Sequence, residues 1–321
     1  MNRSLSVIMP NYKGEKLIPK YLPSLIDSLN NYAGNYEIII VDDNSTDGSI
    51  DVIKQYSGVK LIKLRENSGF AHACNVGLKA AQYETLFFLN NDVRITKGFF
   101  NYFSGHFDNS SVFAVTVKSF RISDGRFLDG GKVGMWNNGM WRVSKNYDVS
   151  EIENNDFKKP YLSFCVQGAF FFTDKKKMFK IGGFDEMMSP YIFEETDLSY
   201  RALKQGWKII YEPRCIAYHE LNFTIGREAG FFKKRVIGER NKLIFAWKNI
   251  HDFKMLFSNI GFLILGLLAF NPVKWAALFR ALSNIKKIYV NRIYERAFSI
   301  RTDREILDFY GNYFNNVRIK E

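Results

Sequence analysis

The sequence predicts an α/β protein: a mostly parallel sheet flanked by helices, followed by a helical C-terminal region. Three observations predict it. Short apolar runs alternate with stretches of helical spacing over the first 220 residues. Polar clusters fall where those runs end. Late in the chain, basic residues gather around one apolar run. A length of 321 residues suits one large domain plus an appendage. Hydrophobic residues at 46% and charged residues at 24% lie near globular norms, which excludes disorder and collagen-like repeats.

The elements follow in order. Leu5–Met9 is a strand stopped at Pro10. Leu17, Ile18, Tyr21, Leu22, Leu25 and Leu29 recur at helical spacing. Tyr36–Val41 is continuously apolar enough to be buried on both faces. Asp47-Gly48-Ser49 punctuates before a short helix over Ile50–Tyr56, and Val59–Leu64 forms a third strand. Asn67-Ser68-Gly69 opens a helix over Ala71–Ala81, and Thr85–Leu89 is a fourth strand. Strands separated by helices imply right-handed crossovers and a parallel sheet, whose ligand lies beyond the carboxyl ends of the strands. Asn11, Asp42-Asp43-Asn44 and Asn90-Asn91-Asp92 occupy those places. Further on, Asp129-Gly130-Gly131 and Asn137-Asn138-Gly139 read as hairpin-like turns. Phe164–Thr173 reads as a strand centred on Gln167-Gly168-Ala169, where a glycine lets a ligand approach the backbone. Glu194-Glu195-Thr196-Asp197 opens a helix, and Lys208–Tyr211 and Ile216-Ala217-Tyr218 precede His219.

Charge and cysteine usage narrow the partners. Lys+Arg 45 against Asp+Glu 33 gives +12, which points to an anionic partner. Fifteen basic residues stand against four acidic ones between Arg227 and Arg301, around the apolar run Met255–Phe270. Those sixteen residues fall short of the roughly 20 that a spanning helix needs. Asn271-Pro272 interrupts the pattern before Val273–Leu282 resumes it. Basic flanks around Phe, Trp and Leu fit a helix lying in an anionic headgroup layer; the alternative is a buried helix of a second soluble domain. A nucleic-acid binder would interleave Lys and Arg with exposed aromatics, and here the surplus surrounds an apolar run instead. Three cysteines with no CxxC pair argue against a disulfide framework and a zinc site. The N-terminal apolar run is too short for a signal peptide, so the N-terminus is expected in the cytosol.

No GxGxxG follows the first strand, and no GxxxxGK[ST] occurs anywhere. That argues against a dinucleotide-binding protein or a nucleotidyltransferase. A phosphate held without a glycine-rich loop needs a metal ion or basic side chains, and acids at strand ends suggest the metal.

Six segments in order carry a resemblance: Val7-Ile8-Met9-Pro10-Asn11-Tyr12, Ile40–Ser49, Asn67-Ser68-Gly69-Phe70-Ala71, Phe88-Leu89-Asn90-Asn91-Asp92, Gly182-Gly183-Phe184-Asp185-Glu186 and Glu194–Leu198. The chain resembles a family-2 glycosyltransferase of the GT-A fold (the nucleotide-diphospho-sugar transferase fold), and within it the rhamnosyltransferase-like branch. The resemblance, which covers about residues 5–220, implies a catalytic domain over residues 1–225; the charge and apolar pattern described above gives a basic, apolar, membrane-associated helical region over 226–321.

It also implies roles. Asp42 and Asp43 would hold the nucleotide, because a carboxylate suits an imide N–H; an Asx-rich helix-capping turn is the alternative. Pro10, Asn11, Tyr12, Asn67, Gly69, Asn90 and Asn91 would complete the nucleotide-sugar site. Asn90-Asn91-Asp92 occupies the family's DXD position, where Asp92 would coordinate a divalent cation, Mn2+ or Mg2+. Asn90 replaces the usual first Asp, which removes one formal charge. His219 would join the metal or diphosphate, or else be structural. Glu195 would be the general base and Glu194 the second candidate, some of these first-turn acids serving the helix dipole instead. Trp136, Trp141 and Trp207 could stack on sugars, though packing is expected.

The activity so implied is inverting transfer of a sugar from a nucleotide-diphosphate donor, such as dTDP-rhamnose or a UDP-sugar, to a hydroxyl of a lipid-linked or cell-surface glycan. The alternative is a catalytically weak or inactive scaffold in a glycan-assembly complex. The expected place is the cytoplasmic face of the cell membrane, bound to its anionic surface, with no nucleic-acid partner.

Overall fold

The computed structural model describes residues 3–220 and 230–319. Its strands are β1 (Leu5–Asn11), β2 (Tyr36–Asp42), β3 (Val59–Lys63), β4 (Thr85–Leu89), β5 (Val93–Ile95), β6 (Val112–Arg121), β7 (Phe127–Asp129), β8 (Gly131–Asn137), β9 (Met140–Tyr147), β10 (Tyr161–Ser163), β11 (Phe170–Asp174) and β12 (Lys208–His219). The main sheet runs β10-β12-β6-β11-β4-β1-β2-β3, with β5 on β12 and β7 on β6. The expected parallel ladder joins β4, β1, β2 and β3. Beyond it the sheet is mixed: β11 inserts antiparallel between β4 and β6. The two short runs expected before His219 are one strand, β12, whose register shifts between Glu212 and Ile216, around Pro213.

Strict alternation divides the core across the sheet. Val7, Met9, Ile38, Ile40, Phe87 and Leu89 face α1 (Ile18–Asn30) and Phe99, Phe100 and Phe103. Ile8, Ile39, Val41, Leu86 and Phe88 face α3 (Phe70–Ala80) and the rest of the chain. That two-sided burial is why these strands read as continuous apolar runs. The helix expected over Ile50–Tyr56 is the shorter α2 (Ser49–Ile53). After α4 (Lys175–Lys180), α5 (Glu194–Lys204) packs on the second face.

Five further helices follow among the described residues: α6 (Phe231–Asn249), α7 (Phe253–Leu268), α8 (Pro272–Leu282), α9 (Ile285–Phe298) and α10 (Asp303–Val317). Their buried residues, among them Leu243, Phe245, Ala277, Ile288, Tyr310 and Phe314, belong to the same core as Ile8 and Phe88. A boundary at residue 225 therefore does not separate two cores. Their outward faces are strongly apolar: Phe257 is 68%, Leu265 64%, Leu268 70% and Phe279 63% exposed. No helix among the described residues is long and apolar enough to cross a membrane.

The hairpin β8–β9 turns through Asn138-Gly139, both at positive φ as a two-residue hairpin turn requires. It is pinned near its turn. Asn259 of α7 donates to Gly139 O at 2.8 Å, and Trp141 stacks on Phe164 with centroids 4.9 Å apart. Trp136 meets Trp141 edge-on, and Trp207 stacks on Phe113, so all three tryptophans pack as expected. Cys74, Cys165 and Cys215 are buried and unbridged.

Candidate active site

Because β1 pairs in parallel with β2 and β4, the carboxyl ends of these strands lie side by side. Asn11 closes β1 and ties all three. Its Nδ2 donates to Asp42 Oδ1 at 2.8 Å, and its Oδ1 accepts from Asn91 Nδ2 at 2.7 Å. Only glycine fits at Gly14 beside it, since a Cβ there would fall 2.0 Å from Asn11 Oδ1. Asp42 also accepts from Ser45 N at 2.9 Å and Ser45 Oγ at 2.6 Å, and it is wholly buried. Its carboxylate is consumed in holding the turn after β2. Asp43, at the turn's edge, accepts from Ser68 N and Gly69 N, each at 2.8 Å. Gly69 sits at φ +90°, a backbone conformation that a side chain would strain. The acidic pair thus divides: Asp42 shapes the strand ends and Asp43 anchors the Asn67–Gly69 loop. Asn67 itself is exposed, and Pro10 and Tyr12 are half-buried on either side of Asn11.

A second group forms where β5 pairs with the end of β12. Asp92 and His219 come together there, with His219 Nε2 3.2 Å from Asp92 Oδ1. That oxygen is buried and has no hydrogen-bond partner. An orphaned carboxylate oxygen beside an imidazole nitrogen is a donor set that a divalent cation would satisfy, since a buried polar atom without a partner forfeits a strong interaction. No cluster of three or more His, Cys, Asp or Glu suited to a metal occurs among the described residues. Two protein ligands leave most coordination positions to water and phosphate oxygens. The residues present therefore fit a divalent cation shared with a diphosphate. Glu220 braces the pair: its N–H donates to Asp92 O at 3.0 Å, while Lys20 and Tyr21 hold its carboxylate.

Glu194 and Glu195 begin α5, behind Ile192 and Phe193 at φ +74° and +85°. Such values are outliers for β-branched and bulky residues. Glu194 is buried, and burial with the adjacent Glu195 charge pushes its carboxyl up to about 8. Burial also raises Glu195, while the Lys132 ammonium pulls it back. Lys132 is paired in turn with Asp129 at 2.6 Å. Asp197, third in the motif after Glu194, is structural. Its carboxylate meets Arg201 at 2.8 Å and Lys248 at 2.6 Å, and these cations hold it down at about 2 against the effect of burial.

One three-residue segment joins the two groups. Gly168 faces Glu195, whose carboxyl carbon would lie 3.7 Å from a Cβ built on that glycine. Ala169 O accepts from Asn90 N at 2.8 Å. The Phe170 ring lies edge-on to His219, centroids 6.3 Å apart. The expected strand over Phe164–Thr173 begins only at Phe170, so Gly168 and Ala169 form the loop leading into it. Sequence reasoning missed Lys132 and Asp129, although the Asp129-Gly130-Gly131 turn marked their neighbourhood. It also missed Arg240, Asn241 and Lys248, which lie beyond the motif-bearing part of the chain and left no local signal.

A sequence model of glycosyl transferase family 2 matches residues 6–179. Among curated relatives, TuaG of Bacillus subtilis (strain 168), assigned as a teichuronic acid biosynthesis glycosyltransferase, is 34% identical over 130 residues, 39% of this chain and 50% of the relative. TarP of Staphylococcus aureus (strain N315), a poly(ribitol-phosphate) beta-N-acetylglucosaminyltransferase, is 36% identical over 94 residues, 28% of each chain. The chain thus spans between about a quarter and a half of the length of these relatives. Two solved structures share the fold. GalNAc-T7 with UDP, GalNAc and Mn2+ superposes with a TM-score of 0.63 at 16% identity, over 78% of this chain and 49% of that one. The mannosyltransferase PcManGT from Pyrobaculum calidifontis, in complex with GDP-Man and Mn2+, gives 0.57 at 15% identity, over 93% and 86%.

Proposed function

The chain belongs to glycosyl transferase family 2, and on that footing we propose that it transfers a sugar, with inversion, from a nucleotide-diphosphate donor to a hydroxyl of a glycan or lipid-linked glycan. One observation carries the reading: the consecutive residues Gly168, Ala169 and Phe170 face Glu195, bond Asn90 and lie edge-on to His219 respectively. That short segment supports placing a carboxylate and a cation-competent pair at one site.

Two adjacent carboxyl groups in a buried site do not both ionise readily, and unequal surroundings decide which keeps the proton. Glu194, raised by burial and by the neighbouring Glu195 charge, keeps it near neutrality. Glu195 opens on Gly168 within reach of the Lys132 charge, and is the base. It takes the proton of the acceptor hydroxyl as that oxygen bonds to the anomeric carbon and the bond to the diphosphate oxygen breaks on the opposite face. Asp92 and His219 would hold a divalent cation, which when bound neutralises charge on the departing diphosphate. Asp43 with Asn67, Gly69, Pro10 and Tyr12 receives the nucleoside, on a floor set by Asn11, Asp42 and Asn91.

The acceptor is placed at the cytoplasmic face of the cell membrane. Support comes from the exposed apolar faces of α7 to α9 amid basic residues, and from relatives named for teichuronic acid and poly(ribitol-phosphate) chemistry. Apolar insertion and attraction of Lys and Arg to anionic headgroups act together on such a surface. Release of nucleoside diphosphate from a panel of nucleotide sugars tests the donor class: turnover of at least one, dependent on a divalent cation, is expected, and none from any donor would favour the inactive-scaffold reading.

A further inference from the structure

We propose that Asn241 on α6 is a positioning residue for the base, clamping the strained turn that delivers Glu195 to Gly168. Asn241 is wholly buried. Its Nδ2, with two N–H groups shared among three acceptors, faces three carbonyls of one loop: Met188 O at 2.7 Å, Tyr191 O at 3.1 Å and Ile192 O at 2.7 Å. Its own Oδ1 accepts from Arg240 Nε at 2.8 Å and Nη2 at 2.6 Å, and Arg240 Nη2 also donates to Ser189 O. The amide orientation is thus fixed by a cation, so its donor side can only face the turn.

The turn needs such a clamp. Ile192 and Phe193 both sit at positive φ, a strained conformation for such side chains that persists only where the surroundings over-determine it. The next two residues are Glu194 and Glu195. Released, Ile192 and Phe193 would return to negative φ and rotate the first turn of α5 away from Gly168. The back of that helix turn is already fixed from α6, where Lys248 bridges Asp185 and Asp197 and Asn249 donates to Asp197 at 2.7 Å. Only the loop side depends on Asn241. A helix outside the family-matched segment thereby completes the geometry of the base.

The inference rests on Glu195 being the base, which Glu195→Gln tests separately. Asn241→Asp keeps the size and the Arg240 contact but turns the donor into an acceptor facing three carbonyls. Expected in the full chain are a loss of about tenfold or more in kcat, nucleotide affinity within about threefold of wild type, and an acidic limb of the kcat–pH profile displaced to lower pH as the base is rehydrated. Thr173→Val is the comparison, since it deletes a buried hydrogen bond of 2.9 Å to Phe113 O, between β11 and β6, that makes no contact with the turn at 188–193. It should lower Tm while leaving kcat and the limb in place. Should Asn241→Asp not fold, Arg240→Leu frees the same amide and should give the same split with a smaller loss. If kcat merely follows Tm in both α6 variants, as in Thr173→Val, with the acidic limb unmoved, Asn241 has no positioning role. If Glu195→Gln keeps full activity, the base assignment fails and the clamp loses its purpose whatever Asn241→Asp does.

Discussion

Asp92 Oδ1 stands 3.2 Å from His219 Nε2, yet it is buried without a hydrogen bond. A carboxylate oxygen left in that state costs free energy unless something bridges the two groups. Asp92→Ala and His219→Ala should therefore weaken Mn2+ binding, followed by titration calorimetry in the presence of nucleoside diphosphate. Turnover should fall by about a hundredfold or more for Asp92→Ala, and EDTA should suppress it in the wild type. Undiminished rates under both treatments would remove the cation from the account.

A pH dependence follows from Glu194. Its carboxyl is pushed up to about 8 from an ordinary 4.5, so the folded chain holds a proton that the unfolded chain has lost. Stability should therefore fall as pH rises from 4.5 to about 8, the folded state binding more protons across that window. Glu194→Gln removes this loss, so its Tm advantage over wild type should grow from pH 5 to pH 8. Parallel Tm curves for the two proteins would show that Glu194 titrates normally.

Gly168 tests the acceptor side. A Cβ there meets Glu195 only at ordinary contact distance, so Gly168→Ala should fold and retain most activity. Gly168→Leu should fill the space above the carboxyl and raise the acceptor KM by about tenfold with donor binding unchanged. Equal acceptor KM for both variants would place the acceptor elsewhere.

The membrane surface is testable without deleting helices, which would uncover the shared core around Phe245 and Tyr310. Wild-type protein should pellet with anionic vesicles at low salt and be partly released at high salt, each Lys or Arg near the surface contributing about 1 kcal/mol. Phe257→Glu with Leu265→Glu should abolish most of that binding and leave the fold intact, both residues being exposed. Wild-type protein that stays in the supernatant at low salt would refute the surface assignment.

Much of this was legible in the sequence because the relevant physics is local. Two-sided burial leaves apolar runs such as Tyr36–Val41, and parallel pairing puts polar residues at their ends, so Asn11, Asp42 and Asn91 could be placed together before any coordinates. The division of labour within the pairs was not legible. Asp42 and Asp43 are neighbours of the same type, and only the position of Ser45 and of the Ser68-Gly69 amides separates them. The same holds for Glu194 and Glu195, which differ by the distant Lys132, Arg240 and Gly168. β11 entering antiparallel was hidden for a related reason: its partners Leu86 and Ala114 lie 87 and 59 residues from Thr173, and no local pattern records such pairings.

The most direct test of the account compares Glu195→Gln with Glu194→Gln for both donor affinity and turnover. Glu195→Gln should bind donor within a few-fold of wild type and lose about a hundredfold or more in kcat, while Glu194→Gln, which replaces a protonated carboxyl by an amide of the same shape, should keep kcat within about tenfold. The reverse pattern, a large loss in Glu194→Gln and a small one in Glu195→Gln, would contradict the assignment of the base and with it the cleft built around Gly168.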